Sequence, residues 1–129
     1  MTPHFSRAEL VCRCGCGLVR FHPGFLNSLE SLRVEINRQM SLTSACRCSE
    51  HNETVGGHPK SLHVGDVAMH PGQQGTLGVD VEAADGAFRG KLFAVAWKHG
   101  FSIGWNAKEK FLHLDRRDLV GLPQTSFDY

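Results

Sequence analysis

Phe111-Leu112-His113-Leu114-Asp115 alternates between apolar and polar side chains on a period of two. This alternation marks a strand with one face buried. Leu112 and Leu114 then point into a core, while Phe111, His113 and Asp115 share the opposite face. Upstream, Phe101-Ser102-Ile103 predicts a partner strand, with a turn near Asn106 between the two. Gly78-Val79-Asp80-Val81 reads as another short strand, again with a polar residue set between apolar neighbours. An acid held inside such a strand is costly unless it is paired or bound to a cation.

Helical patterns flank these strands. Asp85 is placed to cap a helix carrying Phe88, Leu92, Val95 and Ala96 on one face, with Gly100 as its stop. Pro23 opens a helix over residues 23–38, in which Phe25, Leu29, Leu32 and Ile36 recur at helical spacing. Ser6-Arg7-Ala8-Glu9 has the capping-box pattern and starts a short helix ending near Val11. Residues 41–45 read as a strand, with Ser49 capping a helical turn after it. Residues 55–78 are rich in Gly, Pro and His and form a long loop. Helices and short strands mix without a βαβ repeat, so the fold class is α+β: a small antiparallel sheet with flanking helices.

The length of 129 residues suits one domain spanning 1–129, and the 41% hydrophobic content suits one modest core. A net charge of +1 argues against nucleic acid as a partner. Arg116-Arg117 is a local basic pair of the kind that usually faces solvent. No stretch is long enough to insert in a membrane. The first residues lack a basic start followed by an apolar run, so no signal peptide is expected and synthesis is expected in a cytoplasm. The five cysteines fall in Cys12-x-Cys14-x-Cys16 and Cys46-x-Cys48. Cytosolic synthesis disfavours a disulfide framework. That leaves partly buried thiols, a single bridge between the clusters, or a structural metal site.

Of the eight histidines, His4, His22 and His99 are expected at the surface or at helix ends. His113 and Asp115 face a cleft together, or else simply satisfy each other as an ion pair. Two imidazoles and a carboxylate (His63, Asp80 and His113) form a ligand set suited to a catalytic zinc with an open fourth position.

Several segments together resemble the M15 family of zinc peptidases, the D-Ala-D-Ala carboxypeptidase-like group that includes phage endolysins and murein endopeptidases. They are Phe5-Ser6-Arg7-Ala8-Glu9-Leu10, Cys12-Arg13-Cys14-Gly15-Cys16-Gly17, Leu29-Glu30-Ser31-Leu32-Arg33, Ser44-Ala45-Cys46-Arg47-Cys48-Ser49-Glu50-His51-Asn52, Val55-Gly56-Gly57, Lys60-Ser61-Leu62-His63, Gly78-Val79-Asp80-Val81 and Phe111-Leu112-His113-Leu114-Asp115. The resemblance implies a hedgehog/D-Ala-D-Ala-peptidase-like fold and zinc held by His63, Asp80 and His113. It implies that Arg47 and Ser61 line the cleft, with Arg47 suited to a substrate carboxylate. The plainer role for Arg47 is a surface ion pair with an acid such as Glu50. The implied substrate is a peptidoglycan peptide, cleaved by a monomeric phage or prophage enzyme acting on the cell wall.

Two positions depart from the family pattern. Residues 66–75 read as an insertion between the first histidine and the aspartate, and it brings His70 as a rival ligand. Lys110 stands where many members carry the acidic general base. Asp115 is the expected replacement, with Glu109 as the second choice. Absence of that acid also keeps open a non-catalytic zinc-binding domain of the same fold.

Overall fold

The computed structural model describes residues 1–106 and 108–128. Helix α1, Arg7–Leu10, has the reciprocal capping box: Glu9 N–H donates to Ser6 Oγ, and Ser6 N–H donates to the Glu9 carboxylate. Helix α2, Pro23–Ile36, has Pro23 at its start and buries Phe25, Leu29, Leu32 and Ile36. It stops short of the expected residue 38 because Asn37 adopts a left-handed conformation at φ 52°. Strand β1 is Leu42–Ser44, and α3 is Ser49–Thr54. The cap of α3 is Cys48, whose sulfur accepts from His51 N–H; Ser49 is already helical.

Strand β2, Gly78–Glu82, precedes α4, Gly86–Lys98, where Asp85 accepts from Phe88 N–H as the cap. Phe88, Leu92 and Ala96 of α4 are buried and Val95 partly so. Strands β3, Ser102–Trp105, and β4, Phe111–Asp115, follow, then a 3₁₀ turn at Arg117–Val120 and β5, Ser126–Asp128. The fold is α+β, with a five-stranded sheet ordered β1-β2-β4-β3-β5 among the described residues.

Three pairings are antiparallel, as expected, but β5 runs parallel to β3. The chain leaves β4, turns through Arg117–Val120 and returns to the far edge of β3 in the same direction as β3, so the sheet is mixed at that edge. Helices α2 and α4 contribute Phe25, Leu29, Leu32, Leu92 and Ala96 to a core completed by Val79, Val81, Ile103, Leu112 and Leu114 from the sheet. Burying such side chains is worth roughly 1.5–3 kcal/mol each before chain entropy is counted. No helix among the described residues is long and apolar enough to cross a membrane.

Candidate metal centre

Asp80 and His113 are directly opposed across β2 and β4. Their apolar neighbours Val79, Val81, Leu112 and Leu114 are fully buried in the core, so the sheet turns the two polar residues to its other face. Gly78 leaves room for the His113 ring: a Cβ there would lie 3.1 Å from His113 Cε1. His63 arrives from the long loop. Its segment is fixed by Arg47 N–H to the His63 carbonyl at 2.8 Å, Gly65 N–H to the Arg47 carbonyl at 2.9 Å, and Thr76 Oγ1 to the His63 carbonyl at 2.8 Å. His63 is 3% exposed and Asp80 6%.

The three side chains converge on one point. Asp80 Oδ1 lies 3.1 Å from His63 Nε2 and 3.1 Å from His113 Nδ1. On the outer side, His63 Nδ1 is 2.7 Å from the Ala45 carbonyl oxygen, and His113 Nε2 is 2.7 Å from Asp115 Oδ2. A carbonyl oxygen cannot donate, and neither can an ionised carboxylate, so the outer nitrogen of each ring must carry the proton. That leaves the inner nitrogens as lone pairs facing an anionic oxygen. Three acceptors at this separation need a cation among them, either added protons or a metal ion. His63 Nε2, Asp80 Oδ1 and His113 Nδ1 therefore fit a metal, and their ligand atoms all lie within 4.8 Å of one another.

The electrostatics without a metal agree. Burial alone would raise the pKa of Asp80, but the two imidazoles outweigh it and hold the carboxylate below its usual range. Burial pushes His63 down despite the attraction of Asp80. Burial opposes protonation of His113 too, yet the bonds to Asp115 and Asp80 win and raise it to about 9.

Asp115 is fully buried. Besides His113, it accepts from Arg117 N–H and Nε at 3.0 Å each and from Arg117 Nη2 at 2.8 Å. Its carboxylate therefore sits behind His113, on the ring nitrogen remote from Asp80. Arg117 was expected to face solvent with Arg116. Instead it locks Asp115, while Arg116 bonds Asp118 and Ser28.

Arg47 extends its guanidinium to Ser44 Oγ, Asn52 Oδ1 and, at 3.6 Å, Asp80 Oδ2. Ser61 Oγ accepts from His63 N–H and shapes the ligand's turn. Both line a cleft of about 640 Å³ that also contains the three candidate ligands, Asp115, His58 and His70. Glu109 lies outside that lining, in the β3–β4 turn, where its N–H bonds Asn106. His70 approaches the Lys60 carbonyl at 3.4 Å and borders the cleft without joining the cluster of ligand atoms. His22 caps α2, and His99 ends α4 beside Glu35, as helix-end residues.

A family model described as Peptidase M15 matches residues 3–115. The chain belongs to the M15 peptidase family. No curated protein and no solved structure matched it. All three candidate ligands of this M15 chain fall within the matched span, and family membership supports a metallopeptidase acting on a peptide. Arg117, which lies just beyond that span, was missed as a contributor, as was the Ala45 carbonyl. No local pattern signalled Arg117, because it lies past the end of β4 and the 3₁₀ turn at Arg117–Val120 is what brings it back to Asp115.

Proposed function

We propose that this M15 chain is a zinc-dependent peptidase that hydrolyses peptide bonds in bacterial peptidoglycan, as a phage or prophage cell-wall lytic enzyme. The observation that carries the reading is the convergence of two imidazole lone pairs and a carboxylate at the floor of an open cleft, with a guanidinium beside them. His63, Asp80 and His113 would hold the ion. Bound zinc supplies a water of lowered pKa and polarises the scissile carbonyl. Arg47 places a positive charge on the cleft wall where it can attract a carboxylate of the stem peptide, and Asn52 and Ser44 orient its planar group. Asp115 acts as a positioning residue: it fixes the ring of His113 and increases the basicity of the ring's inner nitrogen. His70 also lines the cleft, outside the cluster of ligand atoms, and is the next side chain to test as acceptor of the attacking water's proton.

A second reading is favoured by one feature. Among the described residues, the acidic ones lining the cleft are Asp80 and Asp115, and both are engaged. A non-catalytic zinc domain would need no further base. Incubating the zinc-loaded protein with purified peptidoglycan and analysing the released muropeptides by mass spectrometry separates the two. New stem-peptide termini, absent with His113→Ala, support the peptidase. An unchanged peptidoglycan profile with stoichiometric zinc at the histidines supports the binding domain.

A further inference from the structure

We propose that Cys12, Cys14, Cys16 and Cys48 form a second, structural zinc site, separate from the histidine centre. Their four sulfurs lie within 4.8 Å of one another. Cys12 Sγ is 3.5 Å from Cys14 Sγ and 3.9 Å from Cys48 Sγ, and Cys14 Sγ is 3.8 Å from Cys48 Sγ. A tetrahedron of sulfurs with metal–sulfur bonds of ~2.3 Å has edges of ~3.8 Å. The observed separations bracket that value. They are far longer than a disulfide bond of about 2.05 Å, and all five cysteines are free thiols.

The backbone is built to make the sulfurs meet. In an extended chain, residues 12, 14 and 16 would share a face but stand well apart, at ~6.6 Å per two residues. Gly15 adopts φ of 89° and its N–H reaches the Cys12 carbonyl at 3.5 Å, which coils the segment so that three thiols point to one centre. Cys48 completes the set from the start of α3. The sulfurs also receive backbone donors: Cys48 N–H points to Cys12 Sγ at 3.4 Å and His51 N–H to Cys48 Sγ at 3.3 Å. Such donors suit thiolates, whose negative charge they offset. Arg7 and Arg13 bond carbonyls of the same loop, at Gly17 and Val11, and bring positive charge to it.

Cys46 stands apart. It is buried against the Arg20 carbonyl and takes no part in the cluster, which resolves the odd cysteine count into four plus one. A soft, all-sulfur, closed tetrad suits zinc in a structural role. Binding replaces the thiol protons with the metal, releasing up to four protons and leaving no open position for substrate. The ion would staple the N-terminal segment to the strand–helix junction that carries Arg47 and the Ala45 carbonyl, so it also supports the histidine centre.

The site is tested on the full chain, purified under reductant and loaded with cobalt in place of zinc. The wild type should bind two ions per chain and show the near-ultraviolet thiolate-to-cobalt charge-transfer bands of tetrahedral sulfur ligation. His63→Ala/His113→Ala should keep one ion and retain those bands. Cys14→Ser/Cys16→Ser should lose the bands. Absence of the bands from the fully reduced wild type overturns the proposal without recourse to any variant, as does their persistence in the cysteine variant or copurification of iron at the cysteines. None of these readouts depends on peptidase activity.

Discussion

Asp115→Asn preserves the shape of β4 but removes a charge that four donors share. The carboxylate accepts from His113 Nε2, from Arg117 Nη2, and twice more from the Arg117 backbone N–H and Nε. An asparagine retains one acceptor oxygen. Its amide nitrogen must then face either the His113–Nη2 pair or the Nε–backbone pair, donor against donor. Removing one partner of a buried ion pair costs about 3–5 kcal/mol. Arg117 is partly exposed and can regain water, so the lower end of that range is expected. Freed from its anchor, His113 should bind metal less well, and loss of an outer-shell partner of this kind costs about 10–100-fold in affinity. Chelator-competition titration of zinc at the histidine centre, combined with denaturant unfolding of the metal-free protein, measures both effects. At saturating zinc, activity should largely return. A general base would behave differently: zinc affinity would be unchanged and kcat would fall about a hundredfold or more. That outcome would refute the orienting role and restore Asp115 as the proton acceptor.

His113→Ala should abolish zinc at the histidine centre, as read by elemental analysis alongside the cobalt spectrum; retention of that ion would sink the ligand assignment. Gly57→Ala would place a Cβ 2.1 Å from Asn52 Oδ1 and 3.0 Å from Arg47 Nη1. We expect a loss of about 1–3 kcal/mol together with a raised KM, checked by urea unfolding and peptide kinetics; an unchanged KM would remove Arg47 from substrate binding. In the metal-free protein, the pKa of His113 is raised to about 9. Its stabilising contribution is therefore complete below the ordinary imidazole range and is lost as pH rises through about 9. Unfolding midpoints of chelator-treated protein should fall across that window, and a flat profile would contradict the His113–Asp115 electrostatics. Residues 67–72 should exchange amide hydrogens faster than α2, because they lie between the anchors Asp66, bonded to Ser49, and Gln73, bonded to Val64 and Gly75. Protection equal to that of α2 would show the segment to be part of the rigid frame.

Much of the molecule could be read locally. Phe25, Leu29, Leu32 and Ile36 recur at the pitch of a helix, and Pro23 and Asp85 mark helix starts through chemistry that involves only their next few neighbours. The strand alternation around Asp80 and His113 likewise fixed which residues leave the core, because the pleat turns each side chain opposite to the last. These signals depend on backbone geometry over a few residues, so the sequence alone carries them. Other features depended on sheet register and on how distant segments meet. The pairing that sets Asp80 against His113, the Ala45 carbonyl behind His63, and the parallel return of β5 all join separated parts of the chain. Asp115 shows the limit most clearly. Alternation correctly put it on the face of His113, but only the turn after β4, which folds Arg117 back onto it, decided that its carboxylate points behind the imidazole. The cysteines divide the same way: their spacing could not separate Cys46 from the tetrad, because that depends on where the β1–α3 junction crosses the Gly15–Gly17 turn in space.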